Sequence, residues 1–315
     1  MVAVCPSDAE PAGYRHEALF YDDAATYLSA TVPFIETGLA AGEPVLVVTS
    51  GERVGLIESA VAPNDLLAIA DMATVGHNPG LIIAAWTDFV RTHTSSGRAV
   101  RGIGEPVYPE RPPAELDACQ LHEDLLNLAF DDTTPFWLMC PYDMANLPSH
   151  VIERARSSHP QLAASGERRV STSYRLPNAD TILDRPLPPA PDDVPALAFT
   201  VDMLANLRAY IGTFSTGAGL PAARAVDLVI AANEVTTNSL RHGGGAGELR
   251  LWAEPDRVVC EISDAGHIRS PLVGRFRPPP SATCGRGIWI ANQLCDLVQI
   301  RSSPAGTTVR LHALR

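Results

Sequence analysis

The chain has 315 residues, 46% of them hydrophobic, with a mean hydropathy of +0.04 and a formal net charge of −12. That length and composition suit two globular domains, each able to bury a core. An acidic protein of this kind repels a phosphate backbone, so direct nucleic-acid binding is not expected, and no apolar run of about 18 residues offers a transmembrane helix.

All 24 basic residues are arginines, and there is no lysine. This excludes a P-loop lysine, a protein-kinase strand lysine and a Schiff-base lysine. The opening stretch "MVAVCPSDAEPAGYRHE" lacks the basic start and apolar core of a secretory signal, so a cytoplasmic location is expected. Cys5, Cys119, Cys140, Cys260, Cys284 and Cys295 form no C-x-x-C pair and no zinc-finger spacing. They read as reduced, mostly buried thiols.

In chain order, "PVLVVT" (44–49), "AVRGIGEP" (99–106) and "PFWLMCPYD" (135–143) read as strands buried on both faces. "AAWTDFVRTHTSSG" and "ELDACQLHEDLLNLAFDD" carry helical spacing between them. This alternation implies a mostly parallel α/β sheet. Several polar residues fall at predicted strand ends: Arg101, Glu105, Tyr142 and Asp143, with His122 on the adjoining helix. Open α/β sheets bind ligands beyond the strand carboxyl ends, which makes these residues a candidate sensory site. The competing reading is that Arg101 and Glu105 pair with each other, or with Asp143, and hold loops. His16, His77 and His93 stand apart in sequence and read as hydrogen-bonded structural histidines, so no metal site is expected in this half.

The stretches "YRHEALFY", "PFIETGLAAGEPVLVV", "GHNPGLIIAAW", "VRGIGEP", "HEDLLNLAF" and "CPYD" resemble the MEDS sensory family. The resemblance spans residues 14–160 and implies a RecA-like sheet and a sensing or docking role. In a RecA-type ATPase the P-loop would follow "PVLVVT". Here "SGERVGL" follows, without G-K-S/T, so no nucleotide chemistry is expected there.

The prolines of "LPNADTILDRPLPPAPDDVP" (176–195) suit neither helix nor interior strand and mark a linker. The expected division is a first domain over 1–160, a linker over 161–191 and a second domain over 192–315. In the second domain helices are expected over about 202–214 and from Pro221 to His242. The short strands "ELRLWAEP", "VVCEISDAG", "DLVQIRSS" and "TTVRLHAL" follow, with another helix starting near Gly287. Helices laid on a largely antiparallel sheet form an α+β sandwich.

On the Pro221–His242 helix, Glu234 and Asn238 are four apart and share a face, with His242 one turn later. Val226, Leu228, Val229, Ile230, Ala232 and Val235 supply its apolar surface. Asp264 ends an apolar strand two residues before Gly266. Gly285 and Gly287 precede a helix, where free N–H groups and the helix dipole favour phosphate. Gly306 and Thr307 enter the last strand.

This ordered set resembles the GHKL ATPase superfamily and, more narrowly, the anti-sigma-factor serine kinases, over most of 192–315. The resemblance implies a Bergerat-type two-layer α+β sandwich that binds ATP with Mg²⁺. It assigns Asn238 to the metal and Asp264 to the adenine amino group. Gly266, Gly285 and Gly287 would wrap the nucleotide, His242 would flank it, and Thr307 would close the adenine pocket. Glu234 would serve as general base toward a protein hydroxyl. Arg241 and Arg286 would balance phosphate charge or simply lie on the surface. The span from Asp264 to Gly285, expected to be the lid, departs from the family pattern. It is short and proline-rich, and His267 follows Gly266 where a second glycine step would stand.

A sensor histidine kinase would need proline five residues after its phosphoacceptor histidine, but "HEDLLN" has Asn127 there, and no dimerisation hairpin precedes the ATPase-like domain. The resemblances imply a regulator of sigma-factor activity with kinase capacity toward serine or threonine. Its partners would be a sigma factor and an anti-anti-sigma protein, and a homodimer is expected because isologous pairing is common. Two other readings remain open: a non-catalytic sequestering protein, and a small-molecule sensor carrying a vestigial ATPase.

Overall fold

The computed structural model describes residues 13–94, 97–164, 166–282 and 285–315. Cys5 and Cys284 lie outside the described residues. Two units are present, one formed by 1–75 and 85–176, the other by 76–84 and 177–315.

In the first unit β1 (Arg15–Tyr21) leads through α1 (Ala24–Ala40) to β2 (Val45–Thr49), α2 (Gly51–Ala60), β3 (Leu67–Asp71) and α3 (Met72–Val75). After α4 (Ile82–Thr94) come β4 (Val100–Gly104), α5 (Pro113–Ala129), β5 (Phe136–Asp143), α6 (Ser149–Ser158) and the hairpin β6 (Gln161–Ala164)–β7 (Glu167–Val170). The sheet runs β3-β2-β4-β5-β1-β6-β7, parallel except for the final pair. The three expected strands are thus β2, β4 and β5. Every residue of β4 and β5 is buried, as a parallel strand between helical layers requires. Phe34, Ile35, Val47, Ile57, Ile103 and Met139 form the core on one side. Parallel strand direction brings the carboxyl ends of β1, β2, β4 and β5 to one edge of the sheet.

The second unit contains β8 (Leu197–Phe199), α7 (Leu204–Gly217), α8 (Ala222–His242), β9 (Gly247–Ala253) and β10 (Arg257–Asp264). α9 (Gly287–Leu294), β11 (Leu297–Ser303) and β12 (Gly306–Leu314) complete it. Its sheet, β11-β12-β10-β9-β8, is antiparallel at every pairing among the described residues. α8 buries Ala225, Leu228, Ala232, Val235 and Ser239, a three-and-four spacing that lays one face on the sheet. Val226 and Ile230, expected on the apolar face, are 57% and 43% exposed, because the true stripe is offset from them. The helix stops where Gly243 N–H bonds Ser239 O at 2.7 Å, followed by Gly244 and Gly245 at φ +91° and +84°.

Residues 76–84 complete the second unit at the end of α9. The Asn78 amide donates to the carbonyls of Asn292 (2.9 Å) and Cys295 (3.1 Å), and Arg275 donates to Pro79 O at 3.1 Å. A helix ends with unpaired carbonyls, and here Asn78 serves two of them while Arg224 donates to Leu294 O at 2.9 Å.

Candidate functional site: a nucleotide-type cleft and a charged sheet edge

The antiparallel register of β10 and β12 sets Asp264 directly opposite Thr307. Both stand where their strands meet the end of α8. A cavity of about 330 Å³ opens there, large enough for a small ligand. Asn238, His242, Asp264, Gly266, Gly285, Gly287 and Thr307 all line it. Glu234 lies at its margin, with Oε2 3.2 Å from the position a Cβ on Gly287 would take.

Asp264 is held by two donors. Ser239 Oγ donates to Oδ2 at 2.6 Å and Gly266 N–H donates to Oδ1 at 2.7 Å. Each carboxylate oxygen keeps a lone pair for an amino-group donor in the cavity. Thr307 Oγ1 donates to Gly266 O at 2.9 Å and lies 2.7 Å from Ser302 Oγ, which accepts from Ile268 N–H at 2.8 Å. This chain of bonds fixes the turn after β10.

Gly243 and Gly287 are required by space. A Cβ on Gly243 would stand 2.4 Å from Asp264 Cγ, and one on Gly287 would stand 2.8 Å from Asn238 Nδ2. Gly285 adopts φ +78° with open space around it, so its backbone is free to meet a ligand. Gly287 begins α9, so the helix's first N–H groups face the same cleft as the Asn238 amide. An amide oxygen is a hard ligand of the kind Mg²⁺ takes. The cleft thus presents a carboxylate acceptor, a side-chain amide and the N–H groups of a helix start to a ligand.

Ser239, Ile268 and Val273 belong to this region without having been singled out in the sequence. Ser239 sits in the last turn of α8, and the other two are ordinary apolar residues of a loop. Arg241 is exposed, and Arg286 is exposed and donates to Pro280 O.

The sensory-site candidates of the first unit do not form one site. Glu105 and Asp143 are joined through Arg53, which lies 3.2 Å from Glu105 Oε1 and 3.0 Å from Asp143 Oδ2. Tyr21 OH and Thr49 Oγ1 also donate to Glu105. Burial pushes the Glu105 carboxyl up, against the opposing pull of Arg53 and these hydroxyls. A cavity of about 390 Å³ adjoins Tyr21, Arg53 and Asp143 at this edge. Arg101 is elsewhere: it pairs with Glu43, donates to Phe34 O and lies over the Phe34 and Trp137 rings. So neither Glu105 nor Asp143 is its partner. Tyr142 stands edge-on to His159 at 5.5 Å, and His122 is buried on α5.

Residues 15–160 match the family described as "MEDS: MEthanogen/methylotroph, DcmR Sensory domain", and residues 197–313 match the histidine kinase-like ATPase domain. No curated protein matches the chain. Among solved structures, the RsbU and RsbW domains of Rv1364c from Mycobacterium tuberculosis are similar at 20% identity and a TM-score of 0.28. That match covers 38% of this chain and 32% of the other, so the chain spans about a third of that relative's length.

Proposed function

Given that the chain joins a MEDS sensory domain to a histidine kinase-like ATPase domain, we propose that it is a signal-controlled switch acting on sigma-factor activity through Mg·ATP. The observation that carries this reading is the convergence of Asn238, Asp264, Gly266, Gly285, Gly287 and Thr307 on one cleft. No helix among the described residues is long and apolar enough to cross a membrane.

In this reading Asp264 accepts from the adenine amino group, and Thr307 and Gly266 close that end of the pocket. Asn238 holds Mg²⁺, the backbone at Gly285 and Gly287 receives phosphate, and His242 flanks the nucleotide. The ion would neutralise phosphate charge and orient the transferable phosphoryl group. Glu234, beside Gly287, would take the proton of an incoming serine or threonine hydroxyl on an anti-anti-sigma partner. The sigma factor would bind in one nucleotide state and that partner in another, a shift that requires different affinities for the two states. The first domain, read as a RecA-like fold without a P-loop and closed by the β6–β7 hairpin, would bias that equilibrium through the proline-rich stretch of 176–195 leading to the second domain. The charged edge at Arg53, Glu105 and Asp143 is the place within it best suited to a polar ligand.

The test is co-purification of wild type and Asn238→Ala with Mg·ATP present, followed by mass spectrometry for partners and for phosphoserine or phosphothreonine. A sigma factor or its antagonist that is lost or unphosphorylated with the variant supports the switch. Equal binding by both proteins without phosphorylation overturns it and leaves a nucleotide-indifferent tether.

A further inference from the structure

Four side chains from distant parts of the first unit meet beneath its sheet: His16 on β1, Glu123 on α5, Cys140 on β5 and His159 just after α6. Their candidate ligand atoms all lie within 4.8 Å of one another, and all four residues are at most 1% exposed. His16 Nε2 lies 3.0 Å from Glu123 Oε2 and 3.5 Å from Cys140 Sγ, and His159 Nε2 lies 3.3 Å from the same carboxylate oxygen. His16 is therefore not isolated, contrary to the expectation from sequence.

The surrounding bonds fix which way each ring presents its proton. Asn127 Nδ2 donates to the carbonyls of Glu123 (3.1 Å) and Ser158 (2.8 Å), which leaves Asn127 Oδ1 facing His16 Nδ1 at 3.0 Å. Oδ1 only accepts, so Nδ1 carries the hydrogen. Likewise His159 Nδ1 donates to Ala155 O at 2.8 Å. In the neutral rings the His16 Nε2 lone pair then faces the carboxylate and the thiol, and that of His159 faces the carboxylate.

Without a cation, the carboxylate and the two Nε2 lone pairs share one donor, the Cys140 S–H, which lies 3.5 Å from His16 Nε2. Glu123 Oε1 and His159 Nε2 are buried with no hydrogen-bond partner, a condition that calls for a physical cause. A divalent ion supplies it. Two neutral imidazoles, a carboxylate and a thiolate around a 2+ charge sum to zero, which a fully buried site favours. A tetrahedral ion with bonds of about 2.0–2.3 Å separates its ligands by roughly 3.3–3.8 Å, against 3.0, 3.3 and 3.5 Å for the three pairs above and no more than 4.8 Å for the others. The two imidazoles already have the backing bonds that orient metal-ligating histidines.

We propose that His16, Glu123, Cys140 and His159 form a closed four-coordinate site for a divalent transition-metal ion of the zinc class within the sensory domain. The mixed nitrogen, oxygen and sulfur donors suit Zn²⁺ or Co²⁺ rather than Mg²⁺ or Ca²⁺. Binding replaces the Cys140 S–H proton with the metal and releases that proton to solvent. The ion ties β1, β5, α5 and the end of α6 to a single point, so occupancy and domain stability rise together.

The experiment uses the full chain, purified without chelator and analysed for metals, then stripped and titrated with Co²⁺ alone. The expected result is an equimolar transition metal as isolated. The Co²⁺ form should show a thiolate-to-cobalt charge-transfer band and the intense visible bands of tetrahedral cobalt. Cys140→Ser should remove the charge-transfer band. Asn127→Ala, which leaves every ligand in place, should weaken Co²⁺ binding about 10–100-fold. Wild-type protein that takes up no equimolar Co²⁺, or shows no thiolate band, overturns the proposal without relying on any variant. A band unchanged in Cys140→Ser overturns it as well.

Discussion

Ser239 donates its hydroxyl hydrogen to Asp264 at 2.6 Å across the gap between α8 and β10, so the carboxylate is set before any ligand arrives. Asp264→Asn should weaken nucleotide binding at least about tenfold, or ~1.4 kcal/mol, because an amide NH₂ would face an amino donor. Ser239→Ala should cost less, about 1 kcal/mol of binding, since the Gly266 N–H still orients the carboxylate. Calorimetric titration with Mg·ATP and Mg·GTP checks both. An Asp264→Asn variant that binds ATP as wild type does would remove this residue from the site.

Gly287 and Asn238 give a second check. A methyl group on Gly287 would press on the Asn238 amide at 2.8 Å, so Gly287→Ala should displace the residue proposed to hold Mg²⁺. Both Gly287→Ala and Asn238→Ala should lower Mg²⁺-dependent ATP affinity by about tenfold or more. ATP affinity measured in EDTA should change far less. An equal loss with and without the ion would argue against a metal role for Asn238.

Acid should loosen the second unit through His312 on β12. Burial, aided by the charges of Arg257 and Arg310, lowers its pKa from 6.5 to about 3. The unfolded chain therefore takes up this proton first as pH falls. The stabilisation is complete above about pH 6.5 and is lost progressively towards pH 3, with a slope of up to ~1.4 kcal/mol per pH unit. Urea unfolding at several pH values should show a shallower acid limb in His312→Gln than in wild type.

At the charged sheet edge, Arg53→Met would leave Glu105 buried beside Asp143 without its cation. A loss of about 3–5 kcal/mol in urea unfolding is expected, with substantial recovery in the double variant Arg53→Met/Glu105→Gln. No recovery would mean that the arginine acts through packing on the Tyr21 ring rather than through charge.

The separate parts of the cleft in the second unit were visible as local motifs, whereas their grouping into one site came from the resemblance to the GHKL superfamily and not from spacing along the chain. Glu234 and Asn238 are one helical turn apart, Asp264 and Gly266 share a turn, and Gly287 opens its own helix. Ser239 was not readable: a serine inside an amphipathic helix looks the same whether it meets a carboxylate or a carbonyl. Sheet order and strand direction decide what long-range pairs form. Arg101 and Glu105 are near in sequence, yet one turns to Glu43 and the other lies past the strand end beside Arg53. The cluster of His16, Glu123, Cys140 and His159 is the extreme case. Its members come from two adjacent strands, one helix and one helix terminus, so no spacing rule along the chain would collect them.

Asn78 sets a condition on dissecting this molecule. A fragment beginning at the proline-rich stretch would contain all the strands of the second sheet, yet its α9 would end on the carbonyls of Asn292 and Cys295 without the amide that serves them. Arg275, in the loop between Asp264 and α9, would lose its bond to Pro79 O in the same cut. The ATPase-like unit is thus assembled from two separate stretches of sequence, and an excised C-terminal half is a different object from the unit found in the whole chain.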